Sequence, residues 1–214
     1  MINRIHKINT NLFPEGFKPK ILSDKPYLVK LRRFLNTKEV NTLLEMAEGK
    51  YEKSTIVLDD ELTYSTTRTS ETAYITDNGK IPKGLESITN KVCYLVGCKP
   101  HQIEGLMVVK YEPNQQYYNH HDYFEPEFDE MIRDGGQRIS SFFCYLTSLE
   151  PGEGGETEFP LIDIKVKPSK GTSVFWWNTD RHGNTIESTL HRGNPVKSGV
   201  KYGLNIWIRE HGWN

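Results

Sequence analysis

The densest chemistry in the 214-residue chain lies in Tyr117-Tyr118-Asn119-His120-His121-Asp122-Tyr123-Phe124. In an extended run alternate side chains share a face, so His120 and Asp122 point one way and His121 the other. An imidazole and a carboxylate side by side supply two members of a 2-His-1-carboxylate facial triad. Such a triad leaves positions on Fe(II) open for a cosubstrate and for oxygen. His-x-Asp pairs also arise by chance, and a hydrogen-bonded pair in a wall is the plain alternative. A triad needs a second imidazole from elsewhere, and His6, His101, His121, His182, His191 and His211 are available. His191 is preferred because Thr189-Leu190-His191-Arg192-Gly193 comes late in the chain, where a distant strand can return beside the first pair.

Lys201 follows ten residues after His191, across the turn-rich residues 194–199. If the flanks of that turn are antiparallel strands, Lys201 points into the same interior. A buried ammonium without a partner is costly, so an inward lysine demands an anion. A dicarboxylic cosubstrate, chelating iron at one end and held by Lys201 at the other, meets that demand. With 18 lysines in the chain, a solvated side chain is the alternative until the pattern is seen whole.

The elements that must position these groups follow from periodicity. Asn36 with Glu39 makes a capping box ahead of Leu43, Leu44 and Met46, predicting a helix that ends before Gly49. A second helix is predicted from about Pro82, with Leu85, Ile88, Val92 and Leu95 on one face and Gly97 after it. Neither carries a cluster of ionisable residues, and both read as scaffold. Residues 54–75 read as two extended segments around the polar loop at 59–63, an ordinary hairpin loop on this pattern, with a mobile lid as the alternative. Strands are predicted over 106–111, 116–124, 138–149, 162–167, 172–177 and 203–209, punctuated by Gly/Pro turns. Short strands at this spacing indicate a sandwich or barrel such as a jelly roll.

Composition narrows the class. Charged residues are 26% and aromatics 11% of the chain, too apolar for a disordered polypeptide, and no long apolar run indicates a membrane span. The 27 basic and 28 acidic residues nearly cancel, which argues against a nucleic-acid binder. Cys93, Cys98 and Cys144 lack CxxC spacing and read as small buried hydrophobes of a reducing compartment. Residues 1–7 lack the apolar stretch of a secretory signal, so the expected location is cytoplasmic, or the viral or host cytoplasm. The twofold excess of 18 lysines over 9 arginines fits a microbial or viral source.

Taken in order, these stretches resemble the prolyl 4-hydroxylase family of Fe(II)/2-oxoglutarate dioxygenases, in its collagen-type branch. The matching residues are Tyr111-x-Pro113, Tyr117-x-x-His120-x-Asp122-Tyr123-Phe124, Arg138 and Tyr145-Leu146. They continue through Gly154-Gly155-Glu156-Thr157-x-Phe159-Pro160, Pro168-x-x-Gly171, Leu190-His191-x-Gly193-x-Pro195-Val196, and Gly199-x-Lys201 with Trp207-Ile208. Arg68-Thr69-Ser70 looks like the family's segment after its mobile loop. The likeness runs from about residue 27 onward, so residues 1–26 read as an N-terminal extension and 27–214 as one dioxygenase domain. Arg192, Asn194, Tyr202 and Ser141 depart from the usual pattern, and none is a ligand.

The resemblance implies a mainly β fold, a double-stranded β-helix (jelly roll) with N-terminal helices packed on it. It implies iron ligands His120, Asp122 and His191, and Lys201 on the distal carboxylate of 2-oxoglutarate with Tyr111 and Thr157 as hydrogen-bond partners. Arg138 and Tyr117 would face a peptide groove near iron, with Tyr123 and one of the adjacent Trp176 and Trp177 as wall, and residues 57–66 would close over it. The cofactors implied are Fe(II), 2-oxoglutarate and O2, with ascorbate as a candidate. The implied substrate is a proline-rich or collagen-like peptide, hydroxylated at C4 of proline with release of succinate and CO2. A different amino-acid or side-chain substrate is the second reading, and a non-catalytic jelly-roll binding module the third.

Overall fold

In the computed structural model, which describes residues 7–11, 19–58, 61–76, 80–125 and 129–212, strands dominate. In chain order the elements begin β1 (Pro19–Asp24), β2 (Tyr27–Leu31), α1 (Thr37–Ala47), β3 (Glu52–Lys53), β4 (Thr55–Leu58), β5 (Glu61–Tyr64) and β6 (Glu71–Tyr74). Then come α2 (Glu86–Val96), β7 (Met107–Tyr111), β8 (Tyr117–His120), α3 (Asp129–Arg133), β9 (Arg138–Tyr145) and β10 (Thr157–Phe159). The chain closes with β11 (Ile164–Val166), β12 (Ser173–Trp177), β13 (His191–Gly193) and β14 (Lys201–Arg209).

The strands form a major sheet in the order β1-β2-β12-β9-β14-β7-β6-β3, a minor sheet β11-β10-β13-β8, and a separate β4-β5 hairpin. This is the expected jelly roll, with its two sheets left open at their edges. Residues 19–24, which the sequence places in an extension, are the edge strand of the major sheet and pair antiparallel with β2. Ile8 is also buried in the core.

Period-two alternation partitions the interior. Phe142, Cys144, Phe175, Trp177, Leu204, Ile206 and Ile208 face the helical side, where Val40, Leu43, Ile88, Val92 and Leu95 of α1 and α2 cover them. Their neighbours Phe143, Tyr145, Val174 and Trp176 face the minor sheet, meeting Phe159 and Val166 across the sandwich. Each fully buried side chain of this kind contributes about 1.5–3 kcal/mol. Lys201, Gly203, Asn205 and Trp207 fall on the sandwich side of β14 by the same alternation. Gly203 is required there, because a Cβ would stand 2.3 Å from Phe143 Cζ.

The capping box at α1 is formed in full, the Asn36 side chain accepting from the Glu39 N–H and the Glu39 carboxylate from the Asn36 N–H, each at 2.9 Å. The predicted second helix starts at Glu86 rather than near Pro82, because residues 82–85 form a separate turn in which the Leu85 N–H donates to the Pro82 carbonyl. The strand expected over 116–124 stops at His120, and Asp122 sits in the bend beyond it. The alternating run at 162–167 yields only Ile164–Val166: Pro160–Ile162 make a 3-10 turn and Asp163 takes φ 52°.

The strands holding His191 and Lys201 are not partners. β13 pairs with β8 and β10 in the minor sheet, whereas β14 pairs with β7 and β9 in the major one. The intervening turn carries the chain from one layer to the other.

Candidate active site

A cavity of about 610 Å3 opens between the two sheets. His120, Asp122 and His191 line it, and their ligand atoms all lie within 4.8 Å of one another. His191 is the direct cross-strand partner of His120. Asp122 Oδ1 stands 3.9 Å from His120 Nε2 and 3.8 Å from His191 Nε2.

Strand alternation alone does not produce this convergence. Gly193 pairs with Tyr117 while His191 pairs with His120, so three steps on β8 oppose two on β13. The extra residue is a β-bulge, which re-aims side chains. It brings Tyr117 and His120 onto one side, their rings stacked at 3.5 Å, and leaves Tyr118 exposed.

Backbone carbonyls orient both imidazoles. His120 Nδ1 lies 2.7 Å from the Tyr118 carbonyl and His191 Nδ1 lies 3.0 Å from that of Thr189. Each carbonyl accepts a hydrogen bond from Nδ1–H, leaving the Nε2 lone pair turned toward Asp122. Burial holds the His120 imidazole well below its usual range, with His191 adding to the effect and Asp122 opposing it. Burial likewise depresses His191, against the pull of Asp122. Burial pushes the Asp122 carboxyl upward, but His191, His120, the Ser141 hydroxyl and Arg138 together outweigh it and keep it ionised. Two neutral imidazoles and one carboxylate are the protonation states that bind a divalent metal. Phe159 stacks on His191 at 5.5 Å and Trp176 meets it edge-on at 4.8 Å, while Trp177 packs toward the helices. The other imidazoles stay apart: His121 turns to the Glu187 carbonyl and stacks on Tyr123, and His101, His182 and His211 are exposed. His6 lies outside the described residues.

Deeper in the cavity, Lys201 is 1% exposed and no carboxylate stands within salt-bridge distance among the described residues. Its Nζ lies 5.0 Å, 4.9 Å and 5.9 Å from the ring centres of Tyr111, Phe143 and Tyr145. Burial pushes its pKa down to about 7, with only Glu156 pulling upward. Tyr111 is its cross-strand partner, and Gly193 lies opposite, where a Cβ would stand 3.7 Å from Nζ. Thr157 Oγ1 accepts from Tyr145 O–H at 2.8 Å. An isolated cation in a pocket lined by hydroxyls and one glycine fits a dicarboxylate, as the triad fits Fe(II).

Toward the mouth, Arg138 is less free than the sequence suggests. Its guanidinium forms a two-pronged pair with Glu104, through Nε at 2.7 Å and through Nη2, and lies 3.8 Å from the Trp207 ring centre. Arg209 Nη1 reaches the same Glu104 carboxylate at 3.1 Å. On the opposite wall Arg68 lies over Tyr117 at 4.9 Å and donates to the Thr55 carbonyl at 2.9 Å, tying the β4-β5 hairpin to the site. The hairpin comprises most of the expected lid at 57–66, whose residues 59–60 lie outside the described set. Glu104 and Arg68 were not singled out from sequence as lining residues: Glu104 precedes a strand in a polar stretch, and nothing in its spacing marks it. The unusual Arg192 and Asn194 are explained by Glu158, which accepts from both at 2.8 Å and 2.9 Å.

A jelly roll that gathers two imidazoles, a carboxylate and a buried lysine around one cavity defines a 2-oxoglutarate- and Fe(II)-dependent oxygenase. Residues 106–209 match the 2OG-Fe(II) oxygenase superfamily. Prolyl 4-hydroxylase 1 of Arabidopsis thaliana is 31% identical over 208 residues, covering 90% of this chain and 72% of the relative. The human prolyl 4-hydroxylase subunit alpha-3 is 28% identical over 95% of this chain, which spans only 37% of that subunit's length. Among solved structures, the viral collagen prolyl hydroxylase of Paramecium Bursaria Chlorella virus-1, in its 2OG complex, superposes with a TM-score of 0.68 at 32% identity. That match covers 88% of this chain and 98% of the viral one. The chain belongs to the prolyl 4-hydroxylase family. Among the described residues no helix is long and apolar enough to cross a membrane.

Proposed function

We propose that this chain hydroxylates proline at C4 within an extended, proline-rich or collagen-like peptide, converting 2-oxoglutarate and O2 to succinate and CO2. The observation that carries the reading is the shared cavity: the triad and the stranded Lys201 face one space, which Leu62 and Tyr74 also line. His120, Asp122 and His191 hold Fe(II), which supplies the activation of oxygen that couples cosubstrate cleavage to oxidation of the substrate carbon. Lys201 receives the distal carboxylate of 2-oxoglutarate, with the Tyr111 and Thr157 hydroxyls beside it. Phe159 and Trp176 keep water from the His191 side of the metal.

At the mouth, Leu62 and Tyr74 are 62% and 60% exposed and both line the cavity, offering apolar surface to a polyproline II segment. Tyr117, stacked on His120, lies beside the triad, and Arg138, held by Glu104 and flanked by Trp207 and Phe124, has its Nη1 edge left to meet a peptide carbonyl.

The test is purified chain with Fe(II), 2-oxoglutarate, oxygen and a panel of proline-rich peptides, reading peptide mass and succinate together beside His120→Ala. One added oxygen on proline, lost in the variant, supports the reading. Succinate formed without peptide oxidation moves the substrate elsewhere, and no succinate from folded, iron-loaded protein overturns the catalytic assignment.

A further inference from the structure

We propose that Cys93 and Cys98 form a reversible dithiol–disulfide site at the C-terminal end of α2, closed by exchange with a small disulfide such as glutathione disulfide. α2 ends at Gly97, which takes φ 73° and donates its N–H to the Cys93 carbonyl at 2.8 Å. A left-handed cap of this kind folds the following residue back over the last turn, where an apolar contact normally seals the helix end. Here both sealing positions are cysteine, and the two sulfurs lie 3.5 Å apart with Cys98 donating to Cys93. A disulfide needs roughly 2.05 Å, so closure asks the sulfurs to approach by about 1.5 Å. The single glycine between cap and loop is the natural place for that adjustment.

Exposure orders the two thiols. Cys93 is half-buried, whereas Cys98 is 8% exposed. The S–H from Cys98 lowers the Cys93 pKa against burial, while Cys98 itself is raised. The thiolate is the attacking form, so Cys93 reacts first. Its sulfur attacks one sulfur of glutathione disulfide, the S–S bond breaks, and one glutathione leaves as thiolate. Cys98 then loses its proton to solvent and displaces the second glutathione, so two thiols are oxidised and one glutathione disulfide is reduced to two glutathiones. The closed ring spans few residues and constrains the unfolded chain little, so the pair serves as a redox site and not as a staple. Cys144 is fully buried against Ser173 and stands outside this chemistry.

The test equilibrates the reduced full chain with glutathione buffers of increasing oxidation, blocks remaining thiols with N-ethylmaleimide under denaturing conditions, and reads intact mass. The expected result is loss of two hydrogens with one of the three thiols alkylated, reversed by dithiothreitol. Cys144→Ser should lose the same two hydrogens, and Cys98→Ser should stop at a single glutathione adduct on Cys93. Three alkylatable thiols at every ratio, or a wild-type glutathione adduct that never closes, would overturn the proposal.

Discussion

Lys201 shows what a single side chain can reveal when its surroundings do not match its charge. Because its folded pKa of about 7 lies below the ordinary 10.5, the unfolded chain holds more protons between those values. The cosubstrate-free fold therefore gains stability as pH rises through that window, and below about 7 it carries the full cost of the buried charge. Binding a dicarboxylate requires the ammonium, so 2-oxoglutarate affinity should weaken about tenfold per pH unit above 7, with uptake of a proton visible by calorimetry in two buffers. Lys201→Met should raise the melting temperature of the cosubstrate-free chain by a few degrees, about 1 kcal/mol or more, while abolishing 2-oxoglutarate binding by titration. An unchanged affinity in that variant would remove Lys201 from the cosubstrate site. At this scale the sequence was most legible: His120, Asp122, His191 and Lys201 stand out by type and order, and the structure brings all four to one cavity. What stayed hidden were partners without side-chain signatures. The Tyr118 and Thr189 carbonyls that orient the imidazoles belong to backbone, which any residue supplies.

Elements obey the same division between the regular and the irregular. The two-faced burial of β9, β12 and β14 follows from period two, and the strands that carry it were readable at 138–149, 172–177 and 203–209. The bulge in β8 was not, because an extra residue in a ladder appears only when the partner's register is known. Two outcomes belong here. Gly203→Ala should cost about 1–3 kcal/mol by driving a methyl into the Phe143 ring, read as a melting temperature lowered by several degrees with the same fold by circular dichroism. Replacing the β4-β5 hairpin by a short Gly/Ser link should raise the peptide KM at least tenfold while leaving 2-oxoglutarate affinity intact, since Lys201 and Tyr111 lie in other strands. If both affinities fall together, the hairpin supports the whole site and is not a peptide clamp.

Over the whole molecule, the site is divided between layers: the candidate metal ligands come from the minor sheet and the bend after β8, the lysine from the major one. The sequence suggested that His191 and Lys201 flank one antiparallel turn, and spacing could not show that the turn crosses between sheets. A molecule bound to both ends of the cavity ties the two layers together. Metal with 2-oxoglutarate should slow amide exchange in β8, β10 and β13, whereas metal with pyruvate, which lacks the distal carboxylate, should slow it much less. Equal protection by both would show that the layers are held without the lysine. The stranded ammonium has a last consequence, outside catalysis. A chain that is least stable without its cosubstrate opens more often then, so limited proteolysis should cut it faster in the absence of 2-oxoglutarate than in its presence.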